Sequence, residues 1–326
     1  MTKTPPPFEP VSSMQLPRFA GVPTFMRLPW VDLDDAAAGQ VDIGLIGIPW
    51  DGGTTNRPGA RHGPRQLRDL STMIRMANAH TGVSPFKLVN CAELGDCPVN
   101  PVDVQDTLQR VTTFYGKVAD RHITPMTAGG DHLVSLPILR ALARSEPLAM
   151  VHFDAHTDLF DKYFGEFGYT HGTPFRRAIE EGLLDPKRVV QIGIRGTLVD
   201  GADIAWGKER GVRIVMIDEL MDRGMEDVMA EACEIVGDAA TYVSFDIDSL
   251  DPSYAPGTGT PEIGGFSTFE AQRMIRRLYG LNLVGADLVE VSPPFDPTGN
   301  TAFVGVSLMF ELMCALAVSI DRRRAG

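Results

Sequence analysis

The sequence predicts an α/β protein of three layers, with a parallel sheet of about eight strands covered by helices on both faces. Three observations carry this. Short apolar runs at 41–49, 88–89, 124–127, 148–154, 189–194, 212–217, 241–248 and 283–291 read as strands. Helix-period segments, such as 104–119 and 268–278, fall between them, and such alternation implies parallel strands joined by helical crossovers. Several of the runs also end in Asp or His, at the carboxyl edge where open α/β sheets keep their ligands.

Composition sets the frame. The chain has 326 residues, 44% hydrophobic and 22% charged, which is ordinary for a globular protein with ample core. Its length allows two domains, but without a repeat or a linker one domain over 39–326, preceded by an arm over 1–38, is the simplest division. A net charge of −12 argues against a nucleic-acid surface and would mildly attract cationic substrates. Cys91, Cys97, Cys233 and Cys314 lack zinc-ribbon or CxxC spacing and read as reduced thiols in a cytoplasmic protein. The N-terminus lacks a signal-peptide pattern, and no run approaches the ~18 apolar residues of a membrane span. Neither a membrane nor a nucleic acid is an expected partner.

Along the arm, Pro5, Pro6, Pro7, Pro10, Pro17, Pro23 and Pro29 forbid a continuous helix. Phe19, Phe25, Met26 and Trp30 are too apolar for a free tail, so an irregular arm packed on its own subunit or a neighbouring one is expected. The first strand leads into a glycine-rich loop, Trp50 to Pro64. It lacks the GxGxxG spacing of a dinucleotide fingerprint, and Pro64 suits the first turn of the next helix.

The informative stretch is Val151-His152-Phe153-Asp154-Ala155-His156-Thr157-Asp158. On a strand Asp154 and His156 share a face with Cα atoms roughly 6.8 Å apart, within reach of one ion. Asp158 would lie about 13 Å from Asp154 if the strand ran on, so the chain must turn near Thr157 to bring it back. Gly129-Gly130-Asp131-His132 ends another strand and can aim His132 at the same cleft. Asp246 and Asp248 repeat the alternation at the end of Tyr242-Val243-Ser244-Phe245. Together these runs offer four carboxylates and two imidazoles. Four carboxylates within a few Å stay ionised in a cleft only if cations balance them, and two divalent ions bring the set to neutrality. Oxygen-rich ligation without Cys suits two Mn²⁺ better than Zn²⁺ or copper.

GGDH, DAHTD, SFDIDSLDPSYAPGTGTPEIGG and EVSPP, in this order over roughly 17–313, resemble the ureohydrolase family of arginase, agmatinase and the guanidino-acid hydrolases. The resemblance implies an arginase-like sheet and a binuclear manganese centre in which Asp154 and Asp246 bridge the ions, His132 and Asp158 complete one, and His156 and Asp248 complete the other. It implies that His171, in Thr170-His171-Gly172, is a proton shuttle or substrate contact, which its ordinary pKa near 6.5 suits. It further implies that Glu290 binds the substrate guanidinium, a planar partner for a carboxylate. Relatives form trimers and hexamers, so a homo-oligomer is expected.

Other polar residues read as structural. His152 lies deeper in its strand and reads as a hydrogen-bonded core residue, and His62 as a loop contact. Asp131 and Asp251 are open between orienting a ligand and shaping a turn.

The expected reaction is hydrolysis of a linear guanidino compound to urea and an amine. Guanidinium resists neutral water, and two metals lower the pKa of water and stabilise the charge that develops on attack. Asp158 would pass a proton to the departing amine and His171 would help restore the nucleophile. The loop 159–169 and its continuation resemble guanidinopropionase and guanidinobutyrase, with Tyr163 available to a substrate carboxylate or simply packed. A guanidino acid is the expected substrate, and agmatine the alternative. A single-zinc deacylase and a non-catalytic metal-binding protein are the readings from other classes.

Overall fold

The computed structural model describes residues 8–325, so the proline run 5–7 lies outside the described residues. Eight strands form one parallel sheet: Ile43–Gly47 (β1), Cys91–Asp96 (β2), Thr124–Ala128 (β3), Leu148–Phe153 (β4), Leu184–Ile194 (β5), Arg213–Met216 (β6), Thr241–Asp246 (β7) and Leu283–Val289 (β8). The helices are Gly63–Leu70 (α1), Pro85–Leu88 (α2), Val104–Asp120 (α3), Ser135–Leu142 (α4), Pro174–Glu180 (α5), Ala202–Arg210 (α6), Ile217–Arg223 (α7), Met225–Val236 (α8), Thr268–Arg277 (α9) and Asn300–Ala325 (α10). Two apolar clusters, one on each sheet face, form the core that helix-covered parallel strands require.

The strand order is β2-β1-β3-β8-β7-β4-β5-β6. Chain order and spatial order diverge at the centre, where β8 and β7 insert between β3 and β4. The neighbours β3, β8, β7 and β4 therefore end side by side, and the sequence after each carries acid or imidazole groups. Below those ends the register aligns Thr127, Asp287, Ser244, His152 and Gln191 in one lateral row across five strands. All five are fully buried, so each must find a hydrogen-bond partner inside the protein.

Several expectations shift. The run 88–89 is no strand: Leu88 closes α2 and the strand starts at Cys91, because Pro85 opens a helical turn that a short apolar run does not reveal. β7 stops at Asp246, and Asp248 sits on the 3-10 turn Ile247–Ser249. An apolar stretch long enough for a membrane does exist in α10, contrary to expectation, and 78% of it is buried against neighbours that include α9, β8 and α1. Glu311 interrupts its apolar run but is itself buried and paired with Arg276, so the helix is a core element, apolar nearly all round.

The arm is irregular, as its prolines require, and splits in two. Phe25 and Met26 are buried in the core, and buried Glu93 of β2 accepts the Phe25 N–H while pairing with Arg68. Phe19 and Met14 are each 93% exposed and Trp30 is 58% exposed. None of the four cysteines is paired.

Candidate metal centre

Two ligand-bearing segments fold alike. The Asp154 Oδ1 accepts the His156 N–H at 2.6 Å, and the Asp246 Oδ1 accepts the Asp248 N–H at 2.8 Å. Such Asx turns explain the D-x-H and D-x-D spacing: one carboxylate oxygen fixes the turn and the other is turned towards the cluster. In both residues that Oδ2 lies 3.1 Å from the His132 Nδ1. The chain does turn after Thr157, with Asp158 in the left-handed region at φ 53°, and its Oδ2 lies 2.9 Å from the same nitrogen.

The His132 Nδ1 thus faces three carboxylate oxygens from two segments, yet none of these contacts has hydrogen-bond geometry. Its other nitrogen contacts Ser244 Oγ at 2.8 Å, and Ser244 donates to Asp287 Oδ1 at 2.7 Å. With the ring proton on Nε2, the Nδ1 lone pair points into the carboxylates. That arrangement is repulsive unless a cation stands among them, which is the donor set of a hard divalent ion. On the far side His156 Nδ1 lies 3.1 Å from Asp248 Oδ2, and donor atoms of Asp154, His156 and Asp248 lie within 4.8 Å of one another. Donor atoms of His132, His152 and Asp154 meet the same limit, but His152 is committed elsewhere. The Gln191 amide nitrogen contacts its Nδ1 at 3.1 Å, so its Nε2 proton goes to Asp154 Oδ2 at 2.8 Å.

Electrostatics agree with a cation site. Burial, then the neighbouring carboxylates, push Asp246 well above the usual carboxylate range, and Asp248 moves up for the same reasons. Burial alone would raise Asp154 too, but the surrounding imidazoles hold it well below its ordinary value. Burial disfavours charged His132 and His156, and the carboxylates around them outweigh it and raise both. A cluster built of protein groups alone must recruit protons to stay buried. Two divalent cations would do the same work with all four aspartates ionised.

Glu290 is placed by backbone strain, at φ 64° directly after β8. Its Oε1 accepts the His132 N–H at 2.9 Å and lies 2.9 Å from the His171 Nδ1. In the neutral ring the His171 Nε2 accepts the Thr55 N–H at 3.2 Å and the proton on Nδ1 goes to Glu290, and in the charged ring Nε2 carries a proton as well and faces the Thr55 Oγ1 at 2.8 Å. Burial would lower the His171 pKa, but the charge of Glu290 and its hydrogen bond, together with Asp131 and Asp158, outweigh it and carry it up to about 9. The glycine-rich loop that supplies Thr55 approaches so closely that any Cβ at Gly130 would collide with the Trp50 carbonyl.

The remaining candidates divide. His152 is the buried, hydrogen-bonded residue expected, though its partner is an aspartate of the cluster. Asp131 accepts the Gly53 N–H at 2.6 Å and the Leu133 N–H at 3.1 Å, tying the glycine-rich loop to the turn that carries His132. Asp251 shapes a turn with Ser253 and Gly264. His62 closes a 3-10 turn before α1. Tyr163 leans its hydroxyl over Gly172, beside His171, and its backbone pairs with Phe167. Sequence reasoning passed over Ser244, Asp287, Gln191, Thr55 and Arg195. The available signal was a polar side chain inside a strand buried on both faces, as at Gln191 and Asp287.

The family model for the arginase family matches residues 41–315. A guanidinopropionase of Pseudomonas aeruginosa is 57% identical over 314 residues, 96% of this chain and 98% of its own length. A guanidinobutyrase of the same organism is 45% identical over 315 residues, again 96% and 98%. Among solved structures, a proclavaminate amidinohydrolase from Streptomyces clavuligerus has a TM-score of 0.88 at 38% identity, covering 93% of this chain and 99% of that one.

Proposed function

Because the chain belongs to the arginase family, we propose that it hydrolyses a guanidino acid, of the size of 3-guanidinopropionate or 4-guanidinobutyrate, to urea and an amine at a pair of Mn²⁺ ions. One observation carries the reading. His132 joins the two halves of the site, its Nδ1 facing the aspartates and its backbone N–H holding Glu290, so a guanidinium on Glu290 lies next to the ion cluster.

Asp154 and Asp246 would help hold the ions between His132 and Asp158 on one side and His156 and Asp248 on the other. Bound there, divalent ions supply water activation near neutral pH and offset charge developing on the guanidinium carbon.

The protein groups do the rest. The Glu290 Oε1 is occupied by His132 and His171, which leaves Oε2 for the guanidinium. Asp158, held in its strained conformation, takes a proton at its carboxylate and delivers it to the departing amine. His171 carries a proton on Nδ1 and returns protons between the cleft and solvent. Tyr163, half-buried beside the His171-Gly172 turn, offers its hydroxyl to the substrate carboxylate.

The test is urea release by Mn²⁺-loaded protein from 3-guanidinopropionate, 4-guanidinobutyrate, agmatine and arginine, beside a chelator-stripped control. The highest kcat/KM on a guanidino acid, with activity restored to the stripped protein by Mn²⁺, is expected. A preference for agmatine overturns the substrate, and undiminished activity after stripping overturns the metal reading.

A further inference from the structure

Arg195, directly after β5, is a strongly connected residue next to the site that the reaction above leaves without a task. Its side chain is buried, at 7% exposure, and has no carboxylate within salt-bridge distance among the described residues. It donates instead to six backbone carbonyls: Gly193, Asp248, Ser249, Leu250, Glu262 and Ile263, at 2.7–3.3 Å. A guanidinium has five N–H donors in a rigid fork, and few environments use them all on main chain.

The carbonyls belong to three separate segments. Gly193 lies near the end of β5, which Arg195 follows, Asp248 to Leu250 form the turn that presents the Asp248 carboxylate, and Glu262 and Ile263 lie on the rim loop 256–265. That loop reaches the cluster itself: Thr260 Oγ1 donates to Asp248 Oδ2 at 3.3 Å, and Gly259 lies beside the Glu290 Oε2. The Arg195 backbone N–H also donates at 2.9 Å to the carbonyl of Ala155, between Asp154 and His156. The sequence makes room for the side chain, since a Cβ at Gly265 would collide with the guanidinium.

We propose that Arg195 is a positioning residue that fixes the Asp248 turn against the His156 segment and the rim loop, and so sets the spacing of donors on the His156 side of the metal centre. The inference rests on the two-ion reading of the site. A positive charge behind a cation site opposes metal binding by itself, so Arg195 serves through its hydrogen-bonding shape and against its charge. That opposition makes the role testable, because charge and shape predict opposite changes.

Two variants separate them: Arg195→Met removes charge and fork, and Arg195→Lys keeps the charge with a compact ammonium that cannot span six carbonyls. Mn²⁺ uptake by stripped full-length protein is followed through the electron paramagnetic resonance signal of free Mn²⁺, with metal content and far-ultraviolet circular dichroism measured in parallel. Wild type is expected to take up two ions. Both variants should keep the wild-type dichroism and bind one ion as before and the other at least about tenfold more weakly, the scale on which residues behind metal ligands act. Wild-type affinity in Arg195→Lys, or equal or tighter binding in Arg195→Met, overturns the positioning role. Loss of the fold in both variants, while stripped wild type stays folded, overturns it too, since Arg195 would then sustain the protein rather than the site. Failure of wild type to bind Mn²⁺ sinks the metal reading and this inference together, which distinguishes that result from the others.

Discussion

The His171 ring and the Glu290 carboxylate are fixed to one another, with Nδ1 donating to Oε1 at 2.9 Å and the Thr55 N–H closing the other face of the ring. The bond occupies one oxygen of Glu290 and leaves the second for a planar cation. Glu290→Gln keeps an oxygen for His132 and His171 but removes the charge opposite the guanidinium. A charge-assisted hydrogen bond contributes about 1.5–3 kcal/mol, so kcat/KM should fall roughly 10- to 100-fold or more. Mn²⁺ content should stay at the wild-type value. Steady-state kinetics with metal analysis checks this, and an unaltered kcat/KM would remove Glu290 from substrate binding.

The same pair makes metal-free protein sensitive to alkaline pH. The folded-state pKa of His171 is raised to about 9, above the ordinary value near 6.5, so the stabilisation is complete below about pH 6.5. It is lost as pH rises through about 9, and amounts at most to about 3 kcal/mol. Denaturant unfolding of stripped protein between pH 6 and 10 should show this decline, and His171→Gln should lessen it, leaving the part that His132 and His156 contribute. A variant with the wild-type slope would assign the decline to another group.

Ser244 passes the His132 Nε2 proton contact on to Asp287, whose second oxygen accepts from Ser135 at 2.6 Å and Tyr242 at 2.8 Å. Ser244→Ala breaks that chain without touching a proposed ligand. Mn²⁺ affinity on the His132 side should drop about 10-fold or more, because nothing then holds the ring and its tautomer. Calorimetric Mn²⁺ titration reads this directly, and two wild-type affinities in the variant would show that Ser244 merely fills the core.

Met14, Phe19 and Val22 stand out from the arm at 93%, 93% and 82% exposure, close together in sequence. Such residues suit a subunit contact, and a second copy of the chain is the expected partner. Deleting the residues before Gly21 should shift the mass measured by light scattering to smaller species, while leaving Phe25 and Met26 to pack as they do. An unchanged mass counts against the arm as a subunit contact.

The sequence by itself determined the parallel sheet and which residues gather at its carboxyl edge. Strand parity and Asx-turn chemistry are local, so Asp154, His156, Asp246 and Asp248 announce themselves within a few residues, and the need for a turn before Asp158 follows from chain length alone. It also hid some boundaries: the run 88–89 read as a strand, whereas Leu88 closes α2 and the strand starts at Cys91. Only the tertiary structure decided what stands behind the cluster. Thr127, Asp287, Ser244, His152 and Gln191 are far apart in the chain and become one row through inter-strand register, which no single segment encodes. Arg195 is further from legibility still, since its partners are main-chain carbonyls, present at every residue and selected only by how three segments meet.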